Sequence, residues 1–262
     1  MTLSDTAPPV LDDEQVARFE EDGFVKVAGA IPRELADECR ALAWRHINAD
    51  PDDRSTWTEA VEFIFDAPDP LFVRAGNTPT LHAAYDRLAG RGRWHPLRNL
   101  GWFVVRLPGL PEPSDTGWHV DGSYPLGEGR YGLNLWSRNR SLLVLMLFSD
   151  VGSADAPTRI RVGSHLDVPR LLAPAGRAGT SDAELFRLLG PTESRPVALA
   201  TGNAGDVYLC HPFLVHAGQA HRGSVPRFLA QPPLTSVGEL NLDPANPAPT
   251  PVERAVLRGL AA

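Results

Sequence analysis

From residue 97 onward the chain is cut into short apolar runs by glycine, proline and aspartate, and this texture narrows the possible folds most. The runs are GWFVVRL (101–107), GWHV (117–120), LLVLMLFS (142–149), TRIRV (158–162), DVYLC (206–210), FLVHA (213–217) and RFLAQ (227–231). Runs this short between turn formers read as strands, and a series of them predicts a β sandwich or barrel. The first third reads as helical. Asp12 and Asp13 stand where an N-cap belongs, Val16, Phe19 and Phe24 follow at near-helical spacing, and Gly23 stops the helix. Pro32 suits a first helical position, after which Leu35, Cys39, Leu42, Ala43 and Ile47 share a face. Thr80 to Leu88 predicts another helix, while residues 57–66 fit helix or strand. Ser181 to Leu189 fits a helical insertion. The proline-rich segment 243–251 reads as extended, with a short helix from Val252 to Leu260.

The expected fold is mainly β with flanking helices, a single domain over residues 1–262. Its core is a double-stranded β-helix, the cupin-like jelly roll, over about 97–235. Bracing helices occupy about 11–96, and a proline-rich tail with a short helix fills 236–262. Two domains split near residue 96 are the alternative, disfavoured because the helical third is too small to bury its own core.

Composition removes several function classes. The net charge is -7, from 25 basic and 32 acidic residues, which argues against a nucleic-acid partner. Cys39 and Cys210 are too few and too far apart for a disulfide framework or a zinc knuckle. The longest apolar run, Leu142 to Phe148, falls far short of the ~20 residues a membrane helix needs. The opening MTLSDTAPPVLDDE has no apolar stretch that would read as a signal peptide. A cytoplasmic protein with no membrane partner is expected, and the oligomeric state stays open.

Chemistry concentrates in two segments. In Thr116-Gly117-Trp118-His119-Val120-Asp121-Gly122, His119 and Asp121 are two residues apart. On a strand that spacing puts an imidazole and a carboxylate on one face. A second histidine from a distant strand would complete a 2-His-1-carboxylate triad, which holds Fe(II) and leaves positions open. By itself the triplet is a weak signal, and a paired surface His and Asp is the readier reading of it. The second segment, GDVYLCHPFLVHAGQAHRGSVPRF (205–228), places His216 in an apolar strand and Arg227 11 residues later. A metal-bound 2-oxoacid needs a cation for its far carboxylate, and the arginine fork grips a carboxylate with two bonds. His211, five residues before His216, reads as a structural group. His165 reads as fixing a turn, Cys210 as core and Asp206 as a turn residue.

With these residues in place, the sequence resembles the phytanoyl-CoA dioxygenase family of Fe(II)/2-oxoglutarate-dependent oxygenases. The likeness runs over roughly residues 11–235. It rests on His119 and Asp121, on His211-Pro212-Phe213-Leu214-Val215-His216 and on Arg227. Leu147-Phe148-Ser149-Asp150, Val162-Gly163-Ser164-His165 and Glu20-Glu21-Asp22-Gly23-Phe24-Val25-Lys26-Val27 add to it. The resemblance implies Fe(II) on His119, Asp121 and His216, and Arg227 on the distal carboxylate of 2-oxoglutarate. It also implies O2 consumption with release of succinate and CO2, and oxidation of an unactivated C–H bond in a small molecule, of the kind found in secondary metabolism.

Three positions depart from the family pattern. Ala156-Pro157 replaces an Asn-Gly, Val162 replaces a proline, and Gly218 replaces a serine that helps hold 2-oxoglutarate. Arg106 or Ser224 is expected to supply that missing contact. Among the aromatic residues, Tyr124 and Trp136 are the candidates for lining a substrate pocket, within a rim segment from Gly122 to Arg140. A halogenase is disfavoured because Asp121 stands where chloride would need a vacancy. A cupin-type metal-dependent isomerase or hydrolase, or a non-catalytic jelly-roll binding protein, stays as the alternative.

Overall fold

The computed structural model describes residues 10–65 and 67–262, so residues 1–9 of the acidic opening segment lie outside the described residues. Helix α1 (Asp13–Asp22) starts at a capping box. The Asp12 side chain accepts from the Gln15 backbone N–H, and the Gln15 side chain accepts from that of Asp12. It ends at Gly23, whose φ of 87° is left-handed, and a Cβ there would lie 2.5 Å from His165 Nδ1. Strand β1 (Phe24–Val27) follows, then α2 (Arg33–Ala43). Pro32 stands one place before the helix, because its ψ of 138° is extended. Helices α3 (Pro70–Gly76) and α4 (Pro79–Ala89) both begin with proline behind a capping side chain, Asp69 and Thr78.

The ambiguous stretch before α3 forms strand β2 (Val61–Ile64), fixed by antiparallel pairing with β3 (Trp102–Arg106). The remaining elements are β4 (Tyr124–Gly127), β5 (Arg130–Leu133), β6 (Leu142–Leu147), β7 (Arg159–Arg161), α5 (Val168–Leu172), β8 (Thr180–Ser181), α6 (Asp182–Phe186), β9 (Val197–Leu199), β10 (Val207–Cys210), β11 (His216–Ala217), β12 (Arg227–Gln231), β13 (Pro233–Leu234) and α7 (Pro251–Ala261).

The core is a jelly roll of antiparallel sheets with helices against it. The large sheet has the order β1-β10-β6-β12-β3-β2, with β13 also pairing with β6. Both of its edge strands come from the N-terminal third, β1 from a stretch not read as a strand and β2 from the segment left open between helix and strand. Smaller sheets run β11-β7-β9 and β4-β5-β8.

Strand β6 reads as an unbroken apolar run because both of its faces are covered. Val144 and Met146 pack with Phe103, Val105, Phe228 and residues of α1 to α4, while Leu143, Leu145 and Leu147 pack with Leu229, Ile160 and Leu214. The second layer is the inside of the roll. By alternation Arg106 and Arg227 face that inner side, opposite Val105 and Phe228.

The segment GWHV, predicted as a strand, makes a single antiparallel bridge instead, between His119 and His216. Among the described residues no helix is long and apolar enough to cross a membrane.

Candidate metal and 2-oxoacid centre

The His119–His216 bridge builds the site. His119 N–H donates to His216 O at 2.9 Å, and His216 N–H donates to His119 O at 3.0 Å, so two distant segments meet through their backbones. Asp121 Oδ1 lies 3.5 Å from His119 Nε2 and 3.6 Å from His216 Nε2. One ligand atom from each residue falls within 4.8 Å of the others. Ligand atoms on one face of an octahedral ion at ~2.1 Å stand ~3 Å apart, so small side-chain shifts would close the set around an ion.

Both imidazoles are set for ligation. His119 Nδ1 lies 2.9 Å from Gly117 O and His216 Nδ1 lies 3.0 Å from Leu214 O. A carbonyl only accepts, so each Nδ1 carries the proton and each Nε2 presents its lone pair. Burial, then the neighbouring His119, pushes His216 down to about 4, which keeps that lone pair free at neutral pH. For His119 burial works downward, but the hydrogen bond and charge of Asp121 outweigh it and its pKa is raised. Burial would raise the Asp121 carboxyl, yet Arg140, then the two histidines, hold it well below the usual carboxylate range.

The Val162-Gly163-Ser164-His165 segment supports the distal histidine. Ser164 Oγ accepts from the Val215 N–H at 2.9 Å, and Gly163, with φ 76°, donates its N–H to Asp22 O at 2.8 Å. His211 is fully buried. Its N–H donates to Gly23 O, its Nε2 to Val252 O, and its Nδ1 accepts from the Phe213 N–H. Its ring lies 4.9 Å from that of His165, whose Nε2 faces Glu20 O. His211 therefore braces the loop before His216 and does not face the triad.

Arg106 and Arg227 are register partners on β3 and β12, and both are buried. Arg227 Nη1 donates to Ala156 O at 2.7 Å, and Arg106 Nη2 donates to Asp115 at 2.6 Å. Ala156 holds a left-handed φ of 50°, a conformation suited to the Asn-Gly it replaces. On this pair, three buried nitrogens have no partner: Arg227 Nε, Arg106 Nε and Arg106 Nη1. Burial, then the charge of Arg106, pushes Arg227 down to about 9. Two buried guanidiniums side by side with spare donors form a cradle for a carboxylate. Gly218 fits this arrangement, because a Cβ there would collide with Arg106 Nη2. Arg106 thus occupies the space that a serine side chain would need.

The other expected residues make contacts of their own within the protein. Ser224 is exposed, with its carbonyl accepting from Arg54. Tyr124 is buried, donating its hydroxyl to Ala178 O under Arg138, and Trp136 lies beneath Arg177 at 4.1 Å. The sequence reading missed Arg140, Asp115 and the Ala156 carbonyl. No spacing rule marks them, since each reaches the site through a contact between separate loops.

The sequence model of the phytanoyl-CoA dioxygenase (PhyH) family matches residues 19–229. No curated protein matches the chain at a significant level. Among solved structures, SnoN, a non-heme alpha ketoglutarate dependent epimerase from nogalamycin biosynthesis, is 19% identical over 84% of this chain and 80% of its own, with TM-score 0.59. HygX from Streptomyces hygroscopicus, solved with nickel, 2-oxoglutarate and hygromycin B, is 20% identical over 84% of this chain and 86% of its own, with TM-score 0.55. SnoK, a non-heme alpha ketoglutarate dependent carbocyclase from nogalamycin biosynthesis, is 17% identical over 88% and 86%, with TM-score 0.61. At these identities the likeness is one of fold. The family match runs from the end of α1 into β12 and takes in both histidine segments and Arg227, and on that ground the chain belongs to the phytanoyl-CoA dioxygenase family of iron- and 2-oxoglutarate-dependent enzymes.

Proposed function

We propose that the protein is a non-haem Fe(II)/2-oxoglutarate-dependent dioxygenase that hydroxylates a small molecule. In this reading His119, Asp121 and His216 hold iron, and Arg227 with Arg106 holds the far carboxylate of 2-oxoglutarate. The observation that carries it is the pairing of three converging ligand atoms with spare guanidinium donors on Arg106 and Arg227, on the inner side of one roll. Packing does not explain those spare donors, since buried N–H groups left without an acceptor destabilise a fold. The donor set, two imidazoles and one carboxylate, suits Fe(II).

Bound there, iron with 2-oxoglutarate and O2 supplies the oxidation: a C–H bond becomes C–OH as the 2-oxoacid becomes succinate and CO2. The chain's own residues orient and shield. The arginine pair fixes the far end of the cosubstrate and so its rotation about the metal. The histidine N–H bonds to Gly117 and Leu214 hold the rings in place. His119 and Asp121 are part-exposed at 41% and 32% while His216 is buried at 3%, so the substrate approaches past the first two. The neighbours named with nogalamycin and hygromycin B favour a small natural product as the substrate class. We also propose that the chain works as one domain, because β2 extends the sheet that carries both arginines.

The test is O2 uptake and succinate release by the purified protein with Fe(II) and 2-oxoglutarate. Turnover is expected to need added Fe(II) and to vanish in His119→Ala. Turnover that survives in His119→Ala, or none across a panel of natural-product substrates, would overturn the reading.

A further inference from the structure

Arg140 belongs to no sheet, yet it is carried beneath the triad by a strained run of turns. Ser137 and Asn139 both hold left-handed backbone, with φ of 47° and 68°. Such conformations cost side-chain-bearing residues energy and persist where surrounding bonds impose them. Here Ser137 N–H donates to Asn134 O, Arg140 N–H to Ser137 O, and Ser137 Oγ to Arg140 O. Two further bonds pin the run to the segment after Asp121: Asn139 Nδ2 donates to Ser123 O, and Ser123 Oγ to Arg138 O. The result is a guanidinium with 10% of its side chain exposed, Nη1 2.7 Å from Asp121 Oδ2 and Nη2 2.9 Å from Gly122 O. The two oxygens of Asp121 are thereby divided. Oδ2 is taken by Arg140, and Oδ1 faces both histidines.

We propose that Arg140 is a positioning residue that restricts Asp121 to ligation through one oxygen. The inference rests on the reading of the site given above. A carboxylate free to turn would offer both oxygens and fill a position that the cosubstrate or O2 requires. With Oδ2 held, each of the three residues supplies one atom, and the opposite face stays open. Arg140 also brings positive charge close to the ion, which weakens cation binding. The residue thus serves cosubstrate binding at some expense to metal affinity. A merely structural prop would act the other way, since removing a group that supports a ligand usually lowers metal affinity tenfold or more.

Arg140→Met and Arg140→Lys separate the two roles, with Co(II) as the probe ion and titration calorimetry and visible absorption as readouts. In Arg140→Met, Co(II) affinity is expected to hold or rise. The Co(II) absorption should change as the second carboxylate oxygen joins. The affinity of the Co(II)-loaded protein for 2-oxoglutarate should fall about tenfold or more. Arg140→Lys keeps a single donor and should recover part of that loss. Arg140→Met losing Co(II) as Asp121→Ala does, or keeping wild-type absorption and 2-oxoglutarate affinity, would overturn the proposal. Should Arg140→Met fail to fold, Arg140→Lys decides alone, because wild-type 2-oxoglutarate affinity together with weakened Co(II) binding would overturn it. A wild-type protein that binds neither Co(II) nor 2-oxoglutarate would instead remove the reading of the site itself.

Discussion

Arg227→Met should make the ligand-free protein more stable while removing its response to 2-oxoglutarate. The magnitude follows from burial. A guanidinium held at about 9, well below the ordinary arginine value, is disfavoured in its charged form by on the order of 5 kcal/mol at ~1.4 kcal/mol per pKa unit. The folded-state value lies below the unfolded one. At neutral pH, below both, the penalty is therefore present in full, and it fades only as pH rises through about 9 towards the ordinary arginine value. Methionine removes the charge and fills much of the same space. Against the gain stands the bond to Ala156 O, whose loss leaves a buried carbonyl unpartnered at about 1–3 kcal/mol. The net expectation is a stabilisation of about 2–4 kcal/mol. For the wild type loaded with Mn(II), 2-oxoglutarate at a hundred times its Kd should add about 2.7 kcal/mol, and in Arg227→Met that increment should nearly vanish. Urea unfolding of both proteins, with and without Mn(II) and 2-oxoglutarate, measures all four states. A variant that unfolds at lower urea than wild type and still gains stability from 2-oxoglutarate would refute the reasoning.

His211→Ala and His216→Ala should part company in titrations with Fe(II) or Co(II). The first should keep metal affinity within severalfold but lose about 3 kcal/mol of stability, through a cavity and the bonds to Val252 and Phe213; the second should lose metal binding. Equal metal loss in both would mean that the distal ligand is misassigned. Burial holds His165 at about 4 and His211 well below its ordinary value, whereas the unfolded chain takes up those protons near 6.5. Stability should therefore be complete above about 6.5 and fall as pH drops towards about 4, by about 3 kcal/mol from His165 alone. Urea midpoints that stay flat over that window would contradict it. Gly218→Ser presses a side chain onto Arg106 Nη2, so the KM for 2-oxoglutarate should rise about tenfold with Co(II) affinity unchanged, and an unaltered KM would remove Arg106 from the cradle.

The proposed metal ligands were legible because their spacing is itself the geometry: the ligand atoms of His119 and Asp121 come together even though only one bridge holds that segment. Helix α1 was legible through the cap at Asp12 and the stop at Gly23, and α2, α4, α6 and α7 were placed to within a few residues, while the short α3 and α5 were not read. Edge strands β1 and β2 were not, since each is four residues long and is made a strand by its partner, β10 or β3. The β4–β5 hairpin read as a rim loop because its residues are largely exposed and carry no alternation. Arg140 gave no signal, since its contact with Asp121 depends on two left-handed residues that no apolar pattern encodes. Tyr124 and Trp136 were singled out by position alone, and hydrogen bonding and cation–π contacts within the protein occupy both.

The loop that leads to His216 hangs from both ends of the fold. Gly23, just after α1, holds it through the His211 N–H, and Val252 holds it from α7, where Arg254 pairs with Glu20 and buried Glu253 with Arg93. During synthesis these anchors are made far apart in time. At ~5–20 residues per second, roughly ten seconds or more separate Glu20 from Val252 on the ribosome. A growing chain therefore carries His119 and Asp121 long before Val252 is made, while His216 precedes that anchor by a short stretch only. Until the loop is held from both sides, these side chains are loose donors, open to whichever metal the surroundings offer.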